Sequence, residues 1–362
     1  MRVALVCLSS TPGILAYTKI IANGLINEVR VTMYVPRGQI EHPLDSRLDV
    51  RPILNPLPPR SLAAVADIRT FCLLCGSLRK GNYDIIHFTC AHPWNVPLSY
   101  FLDRKRIVLT LHDPEPHPGE GITSRIVAVY NALIVRRVGR LVVHGKVWKQ
   151  LLESRGLHHV SYAPLASTQV QSPSPYPIDG PILFFGRIMP YKGLDIFVDS
   201  LEIVMREEPT VHAVIAGEGR IPEKVASKLA HLAPRVTVLN RRISEDEKDQ
   251  LFRVTRFVVL PYRQATQSGV IPDAYAHGRP VLATTVGALP EAVVDGQTGF
   301  LVPPDEPEAL ASKMRLLLEH PELAQKMGNS AREFFERELS PQRMVQSLVE
   351  TYKIVEGERT TH

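Results

Sequence analysis

Short apolar runs alternate along this chain with longer segments whose apolar residues recur every three to four positions, the pattern of parallel strands joined by crossover helices. In the first half "RVALVCL" (2–8), "EVRVTMYV" (28–35), "IIHF" (85–88), "IVLTLH" (107–112), "RLVVHG" (140–145) and "HVSYAP" (159–164) read as strands, with helical patterns at 13–26, 61–79 and 124–137. A second series follows: "ILFFG" (182–186), "HAVIAG" (212–217), "RVTVLN" (235–240), "RFVVLPY" (256–262), "RPVLAT" (279–284) and "TGFLV" (298–302). Between the two, "STQVQSPSPYPIDGP" (167–181) is rich in Ser and Pro and weakly apolar, the composition of a linker. The pattern predicts two doubly wound α/β domains, 1–166 and 182–340, with a last helical segment (341–362) reaching back to the first. Ligands of such sheets bind beyond the carboxyl ends of the strands, so two facing domains are expected to enclose a central cleft.

At 362 residues the chain exceeds what one apolar core serves, which agrees with two domains. No run approaches the roughly 20 apolar residues needed to span a bilayer. The opening "VALVCL" is too short for a signal-peptide core, so a cytoplasmic place is expected, with a peripheral position at the inner membrane surface also open. Four cysteines (Cys7, Cys72, Cys75, Cys90) lie in apolar surroundings without a metal-ligand spacing, and "CLLC" reads as core filling. The net charge of +5 divides unevenly: residues 1–165 hold 20 Lys/Arg against 11 Asp/Glu (+9), residues 166–362 hold 22 against 26 (−4). Basic clusters "DRKR" (103–106) and "RRVGR" (136–140), the latter beside "IVAVYNALIV", fit either an anionic substrate or phospholipid surface, or an ordinary solvated helix and loop. Nucleic acid is not expected, because no aromatic residues interleave with the basic ones.

Candidate chemistry sits at the strand ends of the second half. After "ILFFG", the segment "RIMPYKGLDIFVDSL" places Arg187 and Lys192 five residues apart ahead of an amphipathic helix. Two fixed cations there suit a diphosphate whose negative charge grows as it leaves; the alternative is two solvated charges. After "HAVIAG", the turn at Gly217 admits close approach to the backbone, by a ligand or by neighbouring chain. In "QATQSGVIPDAYAHGRPVLAT" (264–284), Ser268-Gly269 opens a two-turn helix that Gly278 and Pro280 close. Its first amides are expected to meet phosphate, and Asp273 either accepts from sugar or ribose hydroxyls or merely complements the helix dipole.

These segments, with "HAVIAGEGR" and "VGALPEAVVDGQTGFLVPPDEPEALASKMRLLL", resemble the nucleotide-sugar domain of retaining GT-B glycosyltransferases of family 4, the glycosyl transferases group 1. The likeness covers residues 181 to about 350 with several motifs in order, and the first half resembles the family's acceptor domain more loosely. It implies a GT-B architecture of two Rossmann-like domains. It also implies that Arg187 and Lys192 grip the donor diphosphate, that His112 lies against the donor sugar, and that Gly13 in "TPG" approaches the donor phosphate and acceptor. Asp273 falls on the second acid of the family's Glu-x7-Glu motif, which binds ribose. The first acid is replaced by Ala265, with Gln264, Thr266, Gln267 and Ser268 around it. Gln267, Ser268, Gly269 and Val270 are the expected donor-binding loop, Gly217 joins them, and residues 241–244 form an expected base-binding edge.

The resemblance implies transfer of a glycosyl group from a UDP- or GDP-linked sugar to a carbohydrate, lipid-linked or small-molecule acceptor, with retention and without metal or other cofactor. The setting would be polysaccharide, glycolipid or other glycoconjugate synthesis. Two other readings stand beside it: a nucleotide-sugar epimerase on the same scaffold, and a nucleotide- or carbohydrate-binding protein without activity, for which Ala265 is the main argument.

Overall fold

The computed structural model describes residues 1–38, 44–54, 67–115, 129–167 and 175–360. Within them the apolar runs become parallel strands buried on both faces, which is why they read as continuous rather than alternating. The described residues divide into two compact units, one made of 1–115, 129–166 and 341–360, the other of 167 and 175–340.

In the first unit seven strands, β1 (Arg2–Val6), β2 (Arg30–Pro36), β3 (Asp49–Leu54), β4 (Ile85–Phe88), β5 (Ile107–Thr110), β6 (Arg140–Val143) and β7 (Val160–Tyr162), pair in the order β3-β2-β1-β4-β5-β6-β7. In the second, β8 (Ile182–Phe185), β9 (Ala213–Ala216), β10 (Val236–Leu239), β11 (Phe257–Leu260), β12 (Val281–Thr284) and β13 (Gly299–Val302) pair in the order β10-β9-β8-β11-β12-β13. Both are doubly wound sheets in which the strand order reverses beside the first strand, between β1 and β4 and between β8 and β11. The α/β fold of two Rossmann-like domains is therefore observed, each with an apolar layer on either face of its sheet.

β3 was not among the expected strands. Its sequence "DVRPIL" carries Arg51 and Pro52, which an edge strand tolerates because one side of its backbone needs no partner. The helices Pro12–Leu25 and Ile68–Lys80 stand where periodicity placed them, while 61–66 and 124–128 lie outside the described residues and 129–134 are helical. Helices Asn95–Phe101 and Lys146–Ser154 were not expected. In the linker stretch, 168–174 lie outside the described residues; 175–181 carry no helix or strand and pack on the second unit, where Arg279 donates to Pro175 O (3.3 Å) and Arg256 N to Pro181 O (3.0 Å).

The helix Pro341–Thr360 is part of the first unit. Met344, Leu348 and Tyr352, spaced by four, are fully buried in the same cluster as Leu15, Ile21 and Leu25 of the helix Pro12–Leu25, each worth roughly 1.5–3 kcal/mol of burial. The two helices approach so closely that a Cβ at Gly24 would collide with the side chain of Val345. One cysteine corrects the reading of "CLLC" as core filling: Cys75 is buried with Leu74 and Leu78, but Cys72, three residues earlier, lies on the outward side of the helix and is exposed. Among the described residues no helix is long and apolar enough to cross a membrane.

Candidate active site

In the second unit the candidate donor groups gather at the switch point between β8 and β11. Gly186 follows β8 with φ +111°, a region open chiefly to glycine, and turns the chain so that Arg187 stands exposed at the strand end. The 3₁₀ turn Pro190–Lys192 then carries Lys192 back over Gly186, its Nζ only 2.6 Å from where a Cβ would lie, and 5.1 Å from the centroid of the Tyr262 ring after β11. The Val270 side chain approaches the same point at 4.0 Å. Gly217, after β9, is a place where backbones meet: a Cβ there would collide with Gly186 O and lie 3.3 Å from Arg187 N. The glycine therefore lets the turn that carries Arg187 sit down on the neighbouring strand end.

The loop after β11 leads into the short helix Val270–Ala276. The Val270 amide donates to Ser268 Oγ at 3.3 Å, and that hydroxyl lies 3.4 Å from the Tyr262 hydroxyl; Gly269 is exposed. Ala265 is buried in an apolar cluster with Tyr262, Val270 and Ile271. Gln267 Oε1 is buried and has no hydrogen-bond partner among the described residues, a cost of about 1–3 kcal/mol for an amide oxygen left dry.

Asp273 is not isolated. Its carboxylate accepts from Ser167 Oγ and faces Lys248 Nζ at 3.4 Å, and Lys248 also pairs with Glu245 at 2.7 Å. Both Asp273 and Lys248 side chains are largely buried. Burial pulls the Lys248 pKa down, but the Asp273 and Glu245 carboxylates outweigh it and raise it above the ordinary lysine value, so the ammonium stays charged. His277, at the end of the helix, donates from Nδ1 to Asp273 O (2.8 Å), faces Asp249 through Nε2 (3.0 Å) and stacks on Phe252. At the expected base-binding edge, Arg241 pairs with Glu247 (2.6 Å), and Glu247 with Ser244 closes a capping box that starts the helix Glu245–Val254.

In the first unit Gly13 is the second residue of the helix Pro12–Leu25, exposed, with open space where a Cβ would stand. His112, two residues beyond β5, donates from Nε2 to Thr89 O at 3.0 Å, which leaves Nδ1 as the acceptor of the neutral ring. Burial holds its pKa below the ordinary histidine value, against the opposing effects of Thr89 O and Asp113. The ring is boxed by Tyr17 (centroids 4.9 Å apart, edge-on) and His144 (5.1 Å). His144, just after β6, spends Nδ1–H on Ala163 O (2.8 Å), and its Nε2 is buried without a partner among the described residues. A hydrogen-bonded chain runs on from Tyr17 through Thr110 (3.0 Å) and His87 (2.8 Å) to the Tyr352 hydroxyl (2.7 Å) on the helix Pro341–Thr360. Burial takes His87 and His144 down to about 3 and His92 to about 4.

The strand-end groups Gly186, Arg187, Lys192, Gly217 and Val270 are thus neighbours, Asp273 belongs to a separate cluster with Lys248, Glu245 and Ser167, and His112 and Gly13 lie in the other unit. Sequence reasoning missed Lys248, Ser167, Tyr17 and His144. Only His144 carried a usable sign, a histidine closing an apolar strand as His112 does. Among the described residues no three His, Cys, Asp or Glu side chains gather as a metal site.

Two doubly wound Rossmann-like units in one chain are the architecture of the GT-B fold. Residues 180–320 match the family described as Glycosyl transferases group 1, and residues 13–166 match the Glycosyl transferase 4-like domain. The chain belongs to the group 1 glycosyltransferases. It is 27% identical over 285 residues to D-inositol 3-phosphate glycosyltransferase of Streptomyces scabiei, covering 70% of this chain and 64% of that protein. The chain spans 61–65% of the length of this and two further curated relatives of the same name. Among solved structures it is similar to sucrose-phosphate synthase from Thermosynechococcus elongatus (TM-score 0.77, 18% identity, 99% of this chain and 100% of that one). It is also similar to Anabaena HepE, solved with UDP and glucose (TM-score 0.72, 19% identity, 98% and 99%).

Proposed function

We propose that the chain transfers a sugar, with retention, from a nucleoside diphosphate sugar to an acceptor hydroxyl, and that UDP is the favoured nucleotide. The observation that carries this reading is the convergence of Lys192 Nζ, Gly186 and the exposed Arg187 at the β8 switch point. A diphosphate placed there meets the Lys192 ammonium, with the exposed Arg187 next in the chain after Gly186, charge stabilisation that requires no metal. That HepE was solved with UDP and glucose supports a uridine donor.

In this mechanism the acceptor oxygen attacks the anomeric carbon on the face from which the phosphate departs. The carbon–oxygen bond to phosphate breaks as the new glycosidic bond forms, and the acceptor proton passes to the departing phosphate oxygen. Arg187 and Lys192 hold the charge that develops there. In the first unit neutral His112 offers Nδ1 to a ligand hydroxyl, its tautomer set by Thr89 O. Gln267 Oε1, buried and without a partner among the described residues, takes the sugar-hydroxyl role of the acid that Ala265 replaces. Asp273, held by Lys248 and Ser167, keeps lone pairs for the ribose. The acceptor belongs to the first unit, beside Gly13.

The test is a thermal-shift series with UDP, GDP and ADP and their glucose conjugates, followed by donor hydrolysis. A ligand at 100 times its Kd adds about 2.7 kcal/mol of stability, and UDP should give the largest shift. Arg187→Ala should remove the shift and the turnover together. A UDP shift that survives Arg187→Ala removes that residue from the site, and binding with no hydrolysis or transfer to any acceptor would make the chain a nucleotide-binding protein.

A further inference from the structure

The first unit carries an outer face that solvent alone does not explain. The helices Ile68–Lys80, Asn95–Phe101 and 129–134 bury their inner sides in one apolar cluster against the sheet, through Leu74 and Leu78, Leu98, and Ile134. The outer sides of such helices are ordinarily polar. Here Ile68, Leu73, Tyr100, Phe101, Val129 and Leu133 stand more than half exposed, six of the eleven exposed large apolar side chains among the described residues, all from this one helical layer. They are linked across helices: Phe71 packs against Phe101 (ring centroids 6.2 Å), and the Arg137 guanidinium lies 3.4 Å from the centre of the Tyr100 ring and donates to Ser99 Oγ (3.3 Å). Leu133 is one helical turn after Val129, and Arg137 follows three residues beyond the end of that helix at 134.

The charges on these elements have one sign. Arg104 and Lys105 follow Phe101 and are exposed, and Arg136 stands exposed beside Arg137. The carboxylates that flank them are spent on structure, Asp67 capping the helix at 68, and Asp103 capping the turn at 104 and pairing with Arg106. Aromatic and aliphatic side chains among unmatched cations are complementary to a surface that is apolar beneath and anionic above. A protein partner of ordinary composition would be met by a ring of mixed charge.

We propose that this face docks peripherally on an anionic phospholipid bilayer, Tyr100, Phe101, Val129 and Leu133 entering the interface while Arg104, Lys105, Arg136 and Arg137 meet lipid phosphates. The inference does not depend on the donor chemistry proposed above. The basic segments around 104 and 137 supply attraction over a Debye length, and the apolar side chains supply the hold once contact is made.

Cys72 provides the probe, since it is exposed on the first of these helices whereas Cys7, Cys75 and Cys90 are buried. The full chain, labelled there with an environment-sensitive fluorophore, is mixed with phosphatidylcholine vesicles with and without phosphatidylglycerol, and co-sedimentation is measured in parallel. The expected result is a blue shift and sedimentation with the anionic vesicles only, weakened by salt and by roughly fivefold for each cation neutralised in Arg136→Gln and Lys105→Gln. Phe101→Ser with Leu133→Ser should abolish binding while leaving the UDP thermal shift unchanged. Failure to bind anionic vesicles overturns the proposal, as does equal binding by the double variant. Self-association that the double variant removes, without vesicle binding, would assign the face to a contact between copies of the chain instead.

Discussion

Acid should dismantle the first unit before the second, and the buried histidines set the size of the effect. His87, His92 and His144 are all buried, and burial lowers their pKa values from 6.5 to about 3, about 4 and about 3. Each is neutral in the folded unit and becomes free to protonate only on unfolding. A depressed folded pKa gives stability that is whole above about 6.5 and is lost as pH falls toward the folded value. Between about pH 7.5 and about pH 5 each such histidine costs about 2 kcal/mol by this linkage, and three acting independently cost about 6. Against a domain stability of roughly 5–15 kcal/mol, that is enough to unfold the unit or leave it marginal. The chain reports the event conveniently, because its two tryptophans, Trp94 and Trp148, both belong to the first unit. Urea denaturation followed by tryptophan fluorescence at the two pH values measures the loss. His92→Asn, which keeps an acceptor for the Trp94 amide (3.2 Å in the native chain), should recover about 2 kcal/mol of it. A total change below about 1 kcal/mol, or an unaltered pH slope in His92→Asn, would refute the assignment of these groups as neutral in the fold.

Three further outcomes test the packing around the candidate site. Gly217→Ala forces a Cβ onto Gly186 O and the Arg187 peptide, so it should cost roughly 1–3 kcal/mol and weaken UDP binding by displacing Arg187, read together by calorimetry and titration. Tyr352→Phe leaves His87 Nδ1 dry and should destabilise the first unit by about 1–3 kcal/mol in the tryptophan-detected urea curve. Ala265→Glu restores the family's acid but sets it against Tyr262, Val270 and Ile271; calorimetry should show a loss of about 3 kcal/mol, and donor turnover should not rise.

Most of the sheet was legible because parallel strands covered on both faces write themselves as unbroken apolar runs, "FVVL" and "ILFF" being examples. β3 was hidden by Arg51 and Pro52, acceptable only at an edge. The helices Asn95–Phe101 and Lys146–Ser154, seven and nine residues long, end before a helical period can repeat convincingly. The place of Arg187 and Lys192 at the end of β8 was legible because it follows from local turns after an apolar run. The partners of Asp273 were not: Lys248 lies 25 residues and Ser167 106 residues away, and nothing local marks them. The link between His87 and Tyr352 spans 265 residues and exists only once the last helix has packed.

That last helix has a consequence for how the protein is made. The groove beside Gly24 and the hydroxyl that completes the His87 chain are both filled by residues beyond 341, after the whole second unit has been synthesised. In a nascent chain the apolar cluster around Leu15, Ile21 and Leu25 therefore gains its last members, Met344, Leu348 and Tyr352, only when synthesis is nearly complete. The amino-terminal unit is thus the last to have its whole sequence available, although its first residues are made first.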